Sequence, residues 1–194
     1  VMYTHEGLRR LLSERLSIPL AEREPLLCTI GALIPLKGQD LVLRALVELP
    51  EARLLIVGHG PDEARLRALA DELGVAQRAH FLGSVDHDVM PLILSASQAM
   101  VLPSAREGLA NAWVEALACG TPIIIGDVGG ARELVRGPEA GLIVARDPGS
   151  IAEGVRILLD NPPDRADTAQ VVGGFGWAEH AEALDRIYSE VIAA

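Results

Sequence analysis

The stretch AMVLPSAREGLANAWVEALACGTPIIIGD, residues 99–127, holds the repeating unit that decides the fold. Two short apolar runs, AMVLP at 99–103 and PIIIGD at 122–127, flank the helical pattern LANAWVEALACG, which ends at Gly120. Short apolar runs between turn residues are typical of parallel strands that are buried on both faces. A glycine that ends a helical pattern is a typical C-cap. The stretch therefore predicts a strand, a helix and a second strand in succession.

The same alternation continues on both sides of this stretch. Four further apolar runs predict strands: LLCTIGAL at 26–33, RLLIVG at 53–58, AHFLG at 79–83 and GLIVA at 141–145. Helical patterns lie between these runs, for example EARLRALADELG, which ends at Gly74. This alternation predicts a doubly wound α/β fold, Rossmann-like, with a parallel sheet of about six strands and ligands at the carboxyl ends of the strands.

The ends of the chain differ from this repeat. Residues 1–25 contain one polar helix, LRRLLSERL, and a linker, whereas residues 161–176 are rich in proline and glycine. Residues 177–194 predict a final amphipathic helix that has no strand of its own to cover. We therefore expect one domain over residues 1–194, whose last helix packs elsewhere.

Charge and cysteine content limit the partners of the protein. There are 27 Asp and Glu against 17 Lys and Arg, and the formal net charge of −10 repels nucleic acid and anionic membranes. No apolar run approaches the roughly 18 residues that span a bilayer, and no leader sequence is recognisable. Cys28 and Cys119 lack the spacing of a disulfide pair. We expect a soluble, cytoplasmic protein that binds no nucleic acid.

The single lysine, Lys37, stands out because every other cation is an arginine. It lies in GALIPLKGQD after the first predicted strand, so Lys37 and Gly38 fall where a strand turns into a helix. Free N–H groups at such a helix start bind phosphate, and lysine adds a point charge. The pattern predicts a diphosphate site, with a solvated surface lysine as the alternative. Neither a Walker loop nor a GxGxxG motif is present.

Two other segments contain residue types that are common in functional sites, but the support for a site is weaker. GHGP at 58–61 follows the second predicted strand, and a lone histidine in such a turn, here His59, is more often solvated than catalytic. Asp86, His87 and Asp88 resemble metal ligands, but adjacent side chains diverge. Capping of the following helix is the favoured interpretation of these three residues, so no metal site is predicted.

Glu107 and Glu115 are the strongest pair of candidate residues. If the segment between them is helical, eight steps of 100° place Glu115 within about 80° of Glu107 and roughly 12 Å further along. Residues 108–111 would then form the first turn, whose N–H groups suit an anion. Glu115 lies in the apolar pattern AWVEALA, where an unpaired carboxylate would be costly. An anion site between two carboxylates predicts a nucleotide sugar; two solvated helix acids are the alternative.

An ordered series of blocks carries a family resemblance over residues 25–188. The blocks are GALIPLKGQDLVLRAL, LLIVGHGPDEARLRALADELGV, HFLGSV, the Glu-x7-Glu segment with EALACGTPIII, DVGGARELV, GLIVARDPGSIAEGVRILLDNP and FGWAEHAEALDRIY. Each block alone is weak, but the ordered series is specific. It resembles the C-terminal, donor-binding half of the retaining glycosyltransferases of the B-type fold (GT-B), group 1 or family 4.

The resemblance implies two catalytic residues. Lys37 would contact the donor diphosphate, and Glu107 would hold sugar hydroxyls on the reacting face. Glu115 would bind the ribose diol. The family usually has an arginine five residues before the lysine, where this chain has Ala32.

The resemblance also implies backbone contacts to the donor. The start of the Glu-x7-Glu helix would bind phosphate through the segment Gly108, Leu109, Ala110 and Asn111. The backbone of Ser84 and Val85 would receive the base. Leu109 and Ala110 stand where the family usually has an aromatic residue and a glycine, which implies a differently shaped sugar pocket.

The function implied is that of a nucleotide-sugar-binding domain in a retaining, metal-independent hexosyltransferase. Its donor would be a UDP-, GDP- or ADP-sugar, with no further cofactor. The N-terminal, acceptor-binding half of the family has no counterpart in the 194 residues, and contact with a membrane surface through that half remains an open alternative. A catalytically inactive binding module and a nucleotide-sugar 2-epimerase-like domain are the alternative functions.

Overall fold

A computed structural model describes residues 5–21 and 24–174 of the protein. Six parallel strands form one sheet in the order β3-β2-β1-β4-β5-β6. The strands are β1 Leu26–Ile30, β2 Arg53–Val57, β3 Ala79–Gly83, β4 Ala99–Leu102, β5 Ile123–Gly126 and β6 Gly141–Val144. Each strand lies within the apolar run that predicted it. The doubly wound, Rossmann-like α/β fold is thereby confirmed.

In the described chain, one helix precedes β1, a helix follows each strand, and one more comes after the helix that follows β6. They are α1 His5–Leu16, α2 Gln39–Val47, α3 Glu63–Glu72, α4 Met90–Ala96, α5 Asn111–Ala118, α6 Ala131–Leu134, α7 Pro148–Asp160 and α8 Arg165–Gln170, with a one-turn 3-10 helix at Pro35–Lys37. Helix α8 was not predicted, because proline and glycine dominate its surroundings. Asp164 starts this helix by accepting hydrogen bonds from the N–H groups of Ala166 and Asp167 at 2.8 and 3.2 Å. The helix predicted at 177–194 lies outside the described residues.

Two apolar layers enclose the sheet because alternate strand residues face opposite sides. Leu55 and Val57 of β2 pack with α1, α4 and α5, whereas Leu54 and Ile56 pack with α2, α3 and α7. Trp113 of α5 is fully buried in the first layer. Within residues 5–21 and 24–174, no helix has both the length and the apolar character that a membrane span requires.

The strand order fixes where a ligand can bind. The chain builds β1, β2 and β3 outward in one direction, then returns to place β4 on the other side of β1. The connections that follow β1 and β4 therefore leave on opposite faces of the sheet, and a crevice opens between them at the carboxyl ends of these strands. Lys37 follows β1, and Glu107 follows β4.

Candidate functional site

The segment after β1 delivers Lys37 to the end of β4. The 3-10 turn Pro35–Lys37 runs into Gly38, whose φ of 77° and ψ of 23° are left-handed. A Cβ atom on Gly38 would lie only 2.7 Å from the carbonyl oxygen of Pro103. Glycine is needed here for both reasons, since L side chains rarely adopt this conformation and no space exists for one. Gly38 thus allows the start of α2 to pack closely against the end of β4.

Lys37 and Glu107, both predicted as site residues, form a direct ion pair. The Lys37 ammonium donates to Glu107 Oε1, and the two side chains are 19% and 11% exposed. The stem of Lys37 passes over Gly31, where a Cβ atom would lie 3.7 Å from the lysine Cε. The sequence predicted a shared site for these residues but did not predict that they would pair.

Two glycines that sequence analysis assigned no role brace the Glu107 loop. Gly129 follows β5 with a φ of 50°, and a Cβ atom there would clash with the carbonyl oxygens of Glu107 and Gly108. The N–H of Gly130 donates to the Gly108 oxygen at 2.8 Å. The adjacent glycines in DVGGARELV were the available signal, because paired glycines often mark a close approach of two backbones.

Arg146 is a second residue that sequence analysis missed. Its Nε donates to the carbonyl oxygen of Pro103 at 2.6 Å, and its Cγ lies 3.5 Å from the Cβ position of Gly126. Its Nη2 lies 3.4 Å from the Cβ position of Gly38. The side chain therefore crosses the ends of β5 and β4 and reaches the start of α2. Exposed Ala32, where an arginine was expected from the family pattern, provides no cation.

The predicted helical path from Glu107 to Glu115 is wrong. Helix α5 begins at Asn111, and Ala110 before it is extended, with φ −73° and ψ 126°. Glu107 thus lies in the loop, and the angular relation between the two carboxylates does not apply. The loop arises because Gly108 is held by Gly130 outside the helix.

The start of α5 nevertheless presents unused donors. No side chain caps this end. Among the described residues, none accepts a hydrogen bond from the N–H groups of Leu109, Ala110 or Asn111. Free N–H groups and the helix dipole together favour an anion at this position. Gly108 and Leu109 precede the helix instead of forming its first turn.

The predicted burial of Glu115 is also wrong. Glu115 is exposed on α5, whereas Trp113, Ala116 and Leu117 are buried on the other side of the helix. Its carboxylate therefore carries no desolvation cost that would require a ligand. The remaining support for a binding role of Glu115 is its position in the second turn of α5, on the same face as Asn111.

His59 contacts the segment predicted to receive a base. The N–H of Ser84 donates to His59 Nε2 at 2.9 Å, so this N–H is occupied. Ser84 itself is exposed and Val85 is half-buried. The Ser84 carbonyl and the Val85 backbone therefore remain for a ligand. His59 is well exposed, as predicted for a turn histidine, but it also has this specific contact.

The segment Asp86, His87 and Asp88 does not cap a helix. Helix α4 begins after Val89 without any side-chain cap, which overturns the capping prediction. Asp88 instead pairs with Arg15 of α1 at 2.5 Å. Across residues 5–21 and 24–174, no three His, Cys, Asp or Glu side chains are grouped to hold a metal ion.

This edge of the sheet combines complementary groups. An ammonium group, a carboxylate and the start of a helix converge where β1 and β4 end. A phosphate can replace Glu107 as the partner of the Lys37 ammonium. The Glu107 carboxylate can then accept hydrogen bonds from hydroxyls. The arrangement suits a ligand with an anionic part beside a hydroxyl-rich part.

Comparison with known proteins places this chain in a family. Residues 13–171 match the family described as glycosyl transferases group 1. A relative from Corynebacterium glutamicum, named GDP-mannose-dependent monoacylated alpha-(1-6)-phosphatidylinositol monomannoside mannosyltransferase, is 34% identical over 190 residues, which cover 89% of this chain and 49% of that protein. D-inositol 3-phosphate glycosyltransferase from Mycolicibacterium smegmatis is 34% identical over 174 residues, or 84% of this chain and 40% of the relative.

A solved structure supports the same placement. Sucrose-phosphate synthase from Thermosynechococcus elongatus superposes with a TM-score of 0.82 at 27% identity, over 94% of this chain and 48% of that chain. The chain spans about half the length, or less, of the curated relatives that it matches. From the matched segment, the fold and the convergence of Lys37 and Glu107, we conclude that this chain belongs to the glycosyl transferases of group 1.

Proposed function

We propose that the chain is the nucleotide-sugar-binding domain of a retaining hexosyltransferase. The observation that carries this proposal is the meeting of Lys37 and Glu107 beside the uncapped start of α5. A cation and helix N–H groups suit a diphosphate, and a neighbouring carboxylate suits sugar hydroxyls. Family membership supports the same choice of ligand.

Each site residue has a role in this proposal. Lys37 and the N–H groups of Leu109, Ala110 and Asn111, with Gly108 leading into them, hold the diphosphate. Glu107 accepts hydrogen bonds from the transferred sugar, and Glu115 accepts them from the ribose diol. The backbone of Ser84 and Val85 receives the base, in which the Ser84 N–H takes no part because it is bound to His59.

In the proposed reaction, the bond between the anomeric carbon and the diphosphate oxygen breaks while the acceptor oxygen bonds to that carbon from the same face and gives its proton to the departing diphosphate. Lys37 and the helix N–H groups stabilise the negative charge on the leaving diphosphate without a metal ion. The acceptor would bind to a separate N-terminal half, consistent with relatives that are about twice as long as the matched segment. Since one relative is named GDP-mannose-dependent, GDP-mannose is the first donor to test.

One observation favours a second candidate function, an inactive nucleotide-sugar-binding module. Ala32 stands where an arginine was expected, so Lys37 lacks a second cation from the same loop. Weaker stabilisation of the leaving diphosphate would reduce transfer more than donor binding.

The deciding experiment is a thermal-shift and calorimetry panel of UDP, GDP, ADP and their hexose conjugates. A ligand at 100 times its Kd should stabilise the domain by about 2.7 kcal/mol. The variant Lys37→Met should weaken diphosphate binding by about 1.5–3 kcal/mol and leave nucleoside binding nearly unchanged. The matched control is Arg44→Met, an exposed cation of α2. Equal losses for diphosphate and nucleoside, or no binding by the wild type, would contradict the proposal.

A further inference from the structure

His59 joins the turn after β2 to the loop after β3 through its imidazole. The N–H of Ser84 donates to Nε2 at 2.9 Å, and Nδ1 lies 3.5 Å from Glu63 Oε2. The ring also covers Gly83, where a Cβ atom would lie 2.7 Å from the imidazole Cε1. A side chain on Gly83 would thus displace the ring. His59 therefore positions the start of the loop between β3 and α4 by direct contact.

The hydrogen-bond pattern fixes the tautomer of His59. Nε2 accepts from Ser84, so the proton of the neutral ring is on Nδ1, facing Glu63. Glu63 stays ionised, since hydrogen bonds from Arg67 and then His59 lower the pKa of its carboxyl. Arg67 donates to Glu63 at 2.8 Å and lies over the Phe81 ring at 4.4 Å. Neutral His59 is thus held at both nitrogens.

We propose that His59 is a positioning residue for the nucleotide base, and that its protonation releases the loop and weakens donor binding. This inference rests on the proposed function, in which the Ser84 and Val85 backbone receives the base. Protonation places a hydrogen on Nε2 that faces the Ser84 N–H, so two donors meet and the bond is lost. The loop then loses the contact that orients it, and donor affinity falls in acid.

The groups around the imidazole are consistent with weaker donor binding when His59 is protonated. The charged groups beside it come from α3: Glu63, which keeps its contact with Nδ1–H in both protonation states, and Arg67, which neutralises part of that charge. The end of β3 contributes Gly83 and the Ser84 backbone, which are uncharged. In the loop that follows, Asp86 is exposed and Asp88 pairs with Arg15.

The test compares pH profiles of three variants. His59→Gln keeps an acceptor for Ser84 but cannot gain a proton, His59→Ala removes the acceptor, and His87→Gln is the control, an exposed histidine in the same loop. The probes are UDP-glucose, GDP-mannose and ADP-glucose, whose phosphates do not titrate near neutral pH. Calorimetry measures Kd from about pH 8 to about pH 5.5, the range in which histidine exchanges its proton.

We expect wild type and His87→Gln to bind about threefold to tenfold more weakly at the acid end. His59→Gln should bind like the wild type at the alkaline end and show a flat profile, whereas His59→Ala should bind weakly throughout. A flat wild-type profile, or one that His59→Gln reproduces, would overturn the inference.

A readout without ligand separates this inference from the proposed function. The Ser84 amide resonance should titrate with pH in the wild type and stay fixed in His59→Gln. If none of the three probes binds the wild type at the alkaline end, the proposed function fails. A Ser84 amide that does not follow the protonation of His59 overturns the inference itself.

Discussion

At the scale of single residues, a direct ion pair joins Lys37 and Glu107 in the candidate site. A phosphate that binds Lys37 has to compete with the Glu107 carboxylate, and a sugar hydroxyl that binds Glu107 has to compete with the ammonium. A ligand with both groups replaces the pair at once, whereas a bare diphosphate leaves Glu107 without its cation. In the proposed function, the pair would therefore favour the complete nucleotide sugar over the diphosphate alone.

The variant Glu107→Gln tests this competition. Without the carboxylate, Lys37 is free for phosphate, so the bare nucleoside diphosphate should bind about threefold to tenfold more tightly. The nucleotide sugar should gain less or bind more weakly, because a hydrogen bond from its sugar becomes weaker. Calorimetric Kd values for GDP and GDP-mannose, measured after melting temperatures have been checked, give the ratio directly.

Glu115→Gln is the comparison for that experiment. If Glu115 accepts from the ribose diol, it should weaken both ligands alike, on the order of 1–3 kcal/mol. The assignment of roles would fail if Glu107→Gln weakened the bare diphosphate as much as Glu115→Gln did. No change in either variant would show that neither carboxylate contacts the ligand.

The sequence placed Lys37, Gly38 and Glu107 correctly after the strands β1 and β4 but misjudged the surroundings of Glu115. Lys37 stood out chemically, and its position after a strand was sufficient to locate it. The apolar neighbours of Glu115 predicted burial, yet Trp113, Ala116 and Leu117 fill only one face of α5. A mixed helix does not reveal by composition which face meets the core, because that depends on packing against other elements.

At the scale of elements, the strands were predictable and one helix was not. Runs such as PIIIGD are short, bounded by turn residues and rich in β-branched isoleucine, and these features together favour a buried strand. Helix α8 is one of the shortest helices, and it is held in place by contacts with residues that are distant in the sequence. Arg165 donates to the oxygens of Ser97, Cys119 and Thr121 at 3.3, 3.2 and 3.0 Å. No local pattern shows such partners.

Replacing Arg165 should therefore destabilise the whole domain. Arg165→Ala removes the donor to the carbonyl oxygens of buried Ser97 and half-buried Cys119, and we expect the free energy of unfolding to fall by about 2–4 kcal/mol. Urea denaturation measures this loss. Arg10→Ala, at an exposed position of α1, is the control and should change stability by less than about 0.5 kcal/mol. Similar losses in both variants would show that α8 is not anchored as described.

The cap of α7 predicts a pH effect. Asp147 accepts from the N–H of Ser150 at 2.8 Å and from its hydroxyl at 2.7 Å, and these bonds hold the pKa of Asp147 below its usual range. A lowered carboxyl pKa stabilises the fold above the unfolded value of about 3.9 and loses that contribution as the pH falls through the folded value.

The variant Asp147→Asn keeps the capping oxygen but cannot titrate. The advantage of wild type in melting temperature should be present at about pH 7 and shrink at about pH 3. Differential scanning calorimetry at both pH values measures this change. An advantage that grew in acid would contradict the sign of the pKa shift.

At the scale of the whole molecule, the described site residues belong to the donor side of the proposed reaction. The formal charge of −10 makes the cations near the site locally important for an anionic ligand. The chain covers 49% of one mannosyltransferase relative and 40% of an inositol-phosphate glycosyltransferase. Binding and transfer are therefore expected to separate in this chain.

The 194-residue chain should bind a nucleoside diphosphate sugar and transfer no sugar. The reason is that the proposed roles cover diphosphate, ribose, base and donor sugar, but no group that would bind or activate an acceptor. Mass spectrometry of reactions with GDP-mannose and an inositol-containing acceptor measures transfer. Glycosylated product from this chain alone would refute the expectation.

The pairing between the two central strands has a consequence for the sheet as a whole. In the described strands, β1 pairs with β2 over five residue pairs but with β4 over two. The boundary between β1 and β4, the seam, lies in the middle of the sheet, with Lys37 following the strand on one side and Glu107 following the strand on the other. A donor held by both residues would link the segment after β1 to the segment after β4 and so stabilise the pairing of these two strands. Amide groups along this seam, which exchange with deuterium when the strands separate, would then be the ones that a bound donor protects most.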